Sequence, residues 1–289
     1  MNYEELIERR ESIRKYHDKA VSDALIDEIT AYFTDSEKLI PELEVSLTAC
    51  KGMADRLEGV VGYQGNAFHA PLYFVIASAE HEHMYMNAGF LGENLILKMT
   101  DLDLSSCWLT IEDVKAARAA LRWTSDLIPA AIIACGYGFK EEEGPRLDIK
   151  TMSDVKVSSR KGHIAPKISL QEIAYKDKWG QMVKDWTSDE VDPDLGKGLY
   201  AASLAPSLLN RQAYRFIDTG KYLYLIAKSD DIQSDEDQRL DLGAAMLNFR
   251  IVYKQYNALS KNWSFGADKT AAEVGAPEEY ETVATYTLF

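Results

Sequence analysis

The chain has 289 residues and a net charge of −14, and 46% of its residues are hydrophobic and 10% aromatic. These values are typical of a globular protein with a large buried core and exclude an extended disordered chain. The acidic balance argues against nucleic acid as a partner, because phosphates require a basic face.

Two further features of the composition concern membranes and redox state. The longest apolar run, Leu127 to Cys135, is too short to span a bilayer, and the acidic N-terminal residues lack the apolar region of a signal peptide. Cys50, Cys107 and Cys135 form no Cys-x-x-Cys pair and lie among apolar residues, so we expect three reduced, buried thiols. A cytoplasmic protein without membrane contact is predicted.

Apolar periodicity and capping residues predict the elements in chain order. A short helix ends near Arg9 or Arg10, and Ser22 caps a second helix. The segment Tyr137–Ser159 is polar and is the best candidate for a boundary between two halves, while Asp230–Asp241 is predicted as a solvated acidic loop that caps the next helix. The other predicted elements are helix Ile40–Leu57, strand Leu72–Ala79, helix Asn87–Leu104, helix Ile111–Leu121, strand Ile128–Gly136, helix Leu195–Leu204, strand Tyr222–Ala227, helix Ala244–Leu259 and strand Tyr280–Phe289.

A basic segment, Arg10-Glu11-Ser12-Ile13-Arg14, follows the first helix. In an extended backbone Arg10, Ser12 and Arg14 share one face, whereas in a helix residues two apart diverge. Two guanidinium groups and a hydroxyl on one edge suit a phosphate, since arginine binds oxyanions in a bidentate manner. The alternative is a solvated run of charge.

A second motif lies in the later part of the chain, at Leu204-Ala205-Pro206-Ser207-Leu208-Leu209-Asn210. Pro206 should end the preceding helix near Ala205, and Ser207 could cap a new turn that contains Asn210. Hydroxyl, amide and backbone N–H groups at such a junction can bind the polar edge of a ligand. The alternative is a helix break with a cap and no ligand.

The two halves of the chain share an order of features, which suggests an internal repeat. A strand is followed by Asn87-Ala88-Gly89, a long helix and Trp108 in the first half, and by Asp241-Leu242-Gly243, a long helix and Trp263 in the second. The arginine motif occurs only in the first half and the Pro-Ser-x-x-Asn motif only in the second. One complete set of ligand groups can therefore form per chain, at the seam between residues 1–160 and 161–289.

Taken together, these motifs resemble the FMN-dependent nitroreductase superfamily. The resemblance rests on Arg9–Tyr16, Asn87–Gly89 through Ser106-Cys107-Trp108, Ile128–Ala131 through Tyr137, and Ala205–Phe216. The chain is similar to a branch in which two related halves are fused and one flavin site remains. The resemblance implies an α+β fold, a three-layer sandwich in which central mixed sheets are covered by helices, with two pseudo-symmetric halves in one chain.

The resemblance also implies roles for individual residues. Arg10 and Ser12 would hold the FMN phosphate and ribityl end, and Arg14 would reach N1 and O2 of the flavin ring and favour its reduction. Asn66 is a poorer match for a contact on the pyrimidine side of the ring. The remaining implied FMN ligands are the basic pair Arg160 and Lys161, the stretch Trp108, Leu109 and Thr110 beside flavin N5 and O4, and the ring-packing residues Pro206, Ser207, Leu208 and Asn210. Ser105-Ser106 and Ala213-Tyr214 depart from the family pattern.

The activity implied is an FMN-dependent NAD(P)H oxidoreductase that transfers two electrons to nitroaromatic, quinone or similar electron-poor acceptors. The chain would act as a monomer (an internal pseudo-dimer) or a weak homodimer. The alternatives are a flavin-binding sensor or storage protein without turnover, and an interaction module that has lost the cofactor. His81 and His83 could face a metal together but lack further ligands, so a polar turn is expected there, as it is at Gly136-Tyr137-Gly138.

Overall fold

The computed structural model describes residues 1–139, 144–151, 154–160, 166–184, 186, 191–266 and 269–288. In these residues the helices are α1 (Tyr3–Arg9), α2 (Asp23–Thr34), α3 (Ala54–Leu57), α4 (Met84–Asp101), α5 (Val114–Leu121), α6 (Leu170–Ile173), α7 (Pro193–Ser203) and α8 (Asp235–Tyr256). The strands are β1 (Val45–Lys51), β2 (Leu72–Ser78), β3 (Ser105–Leu109), β4 (Ile128–Gly136), β5 (Gly144–Thr151), β6 (Asp154–Arg160), β7 (Ala174–Lys176), β8 (Tyr214–Asp218), β9 (Tyr222–Lys228) and β10 (Tyr280–Thr287).

Two four-stranded sheets form the frame of the molecule. The first has the order β1-β2-β4-β3 and the second the order β10-β9-β8-β7. The antiparallel trio β1-β2-β4 has its counterpart in β8-β9-β10, and β7 joins the second sheet in parallel to β8. The mixed α+β architecture expected from the sequence is confirmed.

Most of the predicted elements are present because their local signals are strong. All seven residues of β2 are buried, as their continuous apolar run requires, and β4 spans the predicted Ile128–Gly136. Ser22 caps α2 by accepting a hydrogen bond from the backbone N–H of Leu25, and Asp192 caps α7.

Several predicted boundaries are wrong. Instead of a helix over Ile40–Leu57, the chain forms β1, paired with β2 from Val45↔Ser78 to Lys51↔Leu72, and then the short α3. The acidic run at Asp230–Asp241 is not a loop throughout, because α8 begins at Asp235. Its first-turn carboxylates complement the positive end of the helix dipole, which the prediction overlooked. Most of the β5–β6 hairpin lies in the Tyr137–Ser159 segment, where the sequence predicted no strand.

The long helices α4 and α8 cross at two glycines from equivalent motifs. A Cβ atom on Gly89 would lie 2.2 Å from the carbonyl oxygen of Leu240, and one on Gly243 would lie 2.1 Å from that of Met86. Each glycine therefore lets the opposite helix backbone approach closely.

The cysteines are all free, and Cys107 and Cys135 are buried as expected. Cys50 is only partly buried, contrary to the expectation, because it lies on the edge strand β1. In the described part of the chain, none of the helices combines the length and the apolar character that a membrane crossing needs.

Candidate functional site

A cavity of about 670 Å³, which we call the seam cavity, is lined by residues from two separate parts of the chain, 7–110 and 167–244. Its walls come from the end of α1, the extended segment after it, β3, the Pro206–Asn210 loop and α8. A volume of this size lies within the range of small-molecule and cofactor sites.

The arginine segment is extended, as predicted. Ser12 pairs with Ser106 of β3 in a parallel bridge, and the backbone N–H of Ile13 donates to the Ser106 carbonyl at 2.9 Å. Arg10, Ser12 and Arg14 all line the cavity, as predicted, but Glu11 lines it as well, so the side chains do not alternate strictly between two faces.

The Pro206–Asn210 loop forms the opposite wall and is tied down from two sides. The backbone N–H of Leu208 donates to both carboxylate oxygens of Asp241 on α8, at 3.1 and 3.0 Å. Asn210 Nδ2 donates to the Pro166 carbonyl at 2.8 Å. Leu209 and Asn210 have φ values of 49° and 58°, which belong to the left-handed region.

The prediction that the Ser207 side chain caps the following turn is wrong. A 3-10 turn does form over Leu208–Asn210, but the Ser207 side chain makes no capping bond to it. Instead, Ser207 Oγ accepts from the backbone N–H of Gln212 at 3.3 Å, while Asp241 takes the position of a cap. The loop is therefore anchored to α8 through Asp241.

A buried ion pair supports the arginine wall. Arg10 Nε lies 3.6 Å from Glu93 Oε1, and the side chains of Arg10 and Glu93 are 9% and 0% exposed. Among the described residues, neither Glu93 oxygen has a hydrogen-bond partner at normal geometry, although Trp108 and Asn248 lie beside it and, with Arg10, favour its ionised form. Burial is the larger effect and raises the pKa of Glu93.

A third cation, Lys167, lines the cavity with the two arginines. Its Nζ donates to the Ala205 carbonyl at 2.7 Å. Burial, followed by the positive charge of Arg10, lowers the pKa of Lys167 to about 8. Burial also raises the pKa of Asp241 to about 8, against the hydrogen bonds from Leu208 and Gln233. Both groups can therefore change charge near neutral pH.

The end of β3 completes the cavity with Trp108, Leu109 and Thr110. A Cβ on Gly92 of α4 would lie 2.2 Å from the Trp108 ring, so that glycine makes room for the indole. Thr110 is 9% exposed, and its hydroxyl has no hydrogen-bond partner among the described residues. An orphaned buried hydroxyl at a cavity wall suits a polar ligand atom.

The cavity brings together most of the residues singled out in the sequence. Asn66 also lines it. Arg160 ends β6, so only its backbone position is described, and Lys161 lies outside the described residues. The residues common to the prediction and the cavity are Arg10, Ser12, Arg14, Trp108, Leu109, Thr110, Pro206, Ser207, Leu208 and Asn210.

Sequence reasoning missed Lys167, Glu93 and Asp241. Glu93 could have been noticed as the single charged residue in the helical run from Ala88 to Leu97. Lys167 carries no local signal, because its position depends on how the chain returns from the β5–β6 hairpin to the second sheet. The His81-Glu82-His83 turn lies outside the cavity, and His83 stacks on Phe265 at 3.8 Å between ring centroids. The described residues contain no group of three or more side chains that could hold a metal.

Residues 2–252 match a family model described as "Putative TM nitroreductase". No curated protein matches the chain. A crystal structure of a "putative nitroreductase" from Thermotoga maritima superposes with a TM-score of 0.58 at 17% identity, covering 100% of this chain and 94% of that one.

Shorter solved structures match about half of the chain. A nitroreductase family protein from Clostridium difficile 630 has 19% identity and a TM-score of 0.42, covering 48% of this chain and 86% of its own. An FMN-dependent nitroreductase from Clostridium difficile R20291 has 26% identity and a TM-score of 0.41, covering 47% and 88%. The family match extends over most of the 289 residues and the Thermotoga structure has the same fold, so this chain belongs to the nitroreductase family.

Proposed function

We propose that this chain binds one FMN in the seam cavity and acts as an NAD(P)H-dependent oxidoreductase on electron-poor acceptors such as nitroaromatics and quinones. The observation that carries this proposal is the meeting of two complementary motifs in one cavity. Arg10, Ser12 and Arg14 come from the first half, and the Pro206–Asn210 loop comes from the second.

The donor groups of the cavity fit a flavin phosphate at one end and a polar ring edge at the other. We assign Arg10, Ser12 and Lys167 to the phosphate, since two cations and a hydroxyl offer charge-assisted hydrogen bonds to an oxyanion. We assign the Thr110 hydroxyl and the backbone of the Pro206–Asn210 loop to the ring. Asn210 itself acts mainly by holding that loop to Pro166.

Arg14 is the residue that we place nearest to the redox chemistry. Its guanidinium carbon lies 5.9 Å from the centroid of the Phe68 ring, and both residues line the cavity. A bound FMN would supply two-electron redox chemistry between NAD(P)H and the acceptor. Arg14 would place its guanidinium cation beside the N1 and O2 edge of the ring. The protein's other tasks are to bind and orient, so no nucleophile or general base is required.

Because both walls of the cavity belong to one chain, we propose a monomer as the functional unit, with a weak homodimer as the alternative. The two buried free thiols, Cys107 and Cys135, suit a reducing compartment, and we propose the cytoplasm.

The test is anaerobic reduction of the FMN-loaded protein by NADH and, separately, by NADPH. The proposal expects the flavin absorbance to bleach and to return when a nitroaromatic is added. Arg14→Met should slow bleaching, whereas Lys15→Met, at an exposed neighbour outside the cavity, should not. Flavin that binds but stays oxidised with both donors would favour a sensor or storage protein, and a chain that takes up no FMN would overturn the proposal.

A further inference from the structure

Glu93 lies on α4 behind the arginine wall of the seam cavity and is fully buried. Its ion-pair partner Arg10 lines the cavity, and Arg10 Nε lies 3.6 Å from Glu93 Oε1. Glu93 itself does not line the cavity. It can therefore act on a ligand there only through its neighbours.

The crossing of the two long helices does not require a carboxylate at this position. Glu93 lies four residues after Gly89, and the equivalent position, four residues after Gly243, is Leu247. Leu247 is buried in the hydrophobic core. Burying a charge without good partners costs free energy, so the fold alone does not explain why the first half carries a carboxylate here.

Glu93 is surrounded by polar groups that lack partners. Among the described residues, Arg10 Nε, Trp108 Nε1 and both amide atoms of Asn248 make no hydrogen bond, and neither do the two Glu93 oxygens. In the second half the equivalent indole, that of Trp263, donates to the Met246 carbonyl at 3.0 Å. Orphaned buried groups confined to the half that carries the arginines indicate a function at this place rather than a requirement of the fold.

The charges around Glu93 come mainly from the cavity wall. Arg10 and Lys167 favour its ionised form, whereas burial is the larger effect and raises its pKa. Tyr214 interacts with Glu93 and with Asp241, and burial raises the pKa of Tyr214, so that it stays neutral. Asp241 also interacts with Lys167. The two cations that line the cavity are therefore the groups that stabilise an ionised Glu93.

A phosphate at Arg10 and Lys167 would remove this stabilisation, because its negative charge neutralises both cations and repels the carboxylate. A nearby opposite charge lowers the pKa of a carboxyl group by about 1–3 units, so losing its effect raises the pKa by a similar amount. Between the pKa of the flavin-free chain and the higher pKa of the loaded chain, Glu93 is ionised before binding and protonated after it. A rise of one unit gives an uptake of about half a proton at the midpoint.

We propose that Glu93 is a positioning residue that couples FMN binding to proton uptake: the flavin phosphate and the Glu93 carboxylate share Arg10, and Glu93 takes a proton from solvent when the phosphate engages that arginine. This inference rests on the proposed function, in which Arg10 and Lys167 bind the phosphate. Riboflavin, which has no phosphate, leaves Glu93 ionised.

The test is isothermal titration of FMN and of riboflavin between pH 5 and 7, in buffers of different ionisation enthalpy, which counts the protons exchanged per flavin. Lys167 and Asp241, whose pKa values are about 8, stay mostly protonated in this range and contribute little. The phosphate has a second pKa of about 6 and releases protons on binding, but it does so equally in every variant.

Two variants locate the uptake. Glu93→Gln removes the titrating group at nearly constant volume, and Glu42→Gln removes an exposed carboxylate outside the cavity. We expect the unmodified chain and Glu42→Gln to take up at least about 0.3 proton more per FMN than Glu93→Gln, and no such difference with riboflavin. Relative to Glu93→Gln, the FMN affinity of the unmodified chain should fall about threefold or more from pH 5 to 7. Thermal melts establish that both variants are folded.

A proton count and a pH profile that are the same in Glu93→Gln and the unmodified chain would overturn the proposal and leave the FMN site standing. If Glu93→Gln does not fold, the two flavins are compared in the unmodified chain at pH 7, where the phosphate is mostly doubly charged. Net uptake with FMN alone is expected, and equal counts for both flavins would overturn the coupling. The expected uptake without reduction by NADH or NADPH would retain the coupling and remove the oxidoreductase, whereas a chain that binds no FMN would overturn both.

Discussion

Replacing Arg10 by Gln should weaken FMN binding far more than riboflavin binding. In our assignment Arg10 contacts the phosphate, which riboflavin lacks. A hydrogen bond to a charged group contributes about 1.5–3 kcal/mol, so the loss for FMN should be about 10- to 150-fold. Riboflavin affinity should change little.

The same substitution also acts on the fold, and the experiment must separate the two effects. Arg10 Nε lies 3.6 Å from a fully buried Glu93. Breaking a buried pair by removing one partner costs about 3 kcal/mol or more, because the other charge remains unpaired. The double variant Arg10→Gln/Glu93→Gln removes that charge and should recover most of the lost stability without recovering FMN affinity.

The assay is fluorescence titration of FMN and riboflavin into both variants and the unmodified chain, with urea unfolding in parallel. Equal losses for the two flavins would refute the phosphate assignment. Recovery of FMN affinity in the double variant would show that Arg10 acts only by neutralising Glu93.

Three further predictions concern the rest of the site and its frame. FMN affinity should fall between pH 7 and 9, because the pKa of Lys167 in the flavin-free chain is lowered to about 8 and its charge is lost above that value. Lys167→Gln should weaken this pH dependence in flavin titrations, and the part that remains should come from Asp241, which also lines the cavity. The pKa of Asp241 is raised to about 8, so its contribution to stability is present at low pH and lost as pH rises through that value. The urea midpoint of Asp241→Asn should therefore rise relative to that of the unmodified chain as the pH increases from 5 to 9. A difference between the two midpoints that does not change with pH would contradict this. Gly89→Ala or Gly243→Ala should lower the free energy of unfolding in urea by about 1–3 kcal/mol, because the added Cβ meets helix backbone rather than a movable side chain. An unchanged urea midpoint would show that the helices can shift apart.

The sequence predicted elements well where the local signal and the tertiary environment agree. The run at Leu72–Ser78 is buried on both faces, so its continuous apolar character is sufficient. The segment at Val45–Lys51 is only partly buried, and its strand conformation depends on pairing with that central strand. A helical pattern and an edge strand were therefore hard to distinguish from the sequence alone.

The residues of the site divide in the same way into those with a local sequence signal and those whose position depends on tertiary contacts. Arg10, Ser12 and Arg14 are close in sequence, so one assumption about backbone conformation placed them on a common face. Lys167 and Glu93 reach the site only through the return of the chain and the crossing of two long helices. Their roles depend on burial and on each other's charge, which no local pattern encodes.

The most direct measurement of the central claim is the ratio of FMN to chain in the purified, FMN-saturated and desalted protein, by absorbance and by native mass spectrometry. The account predicts one FMN per chain, because only one pair of complementary motifs exists. A ratio of zero or of two would contradict it.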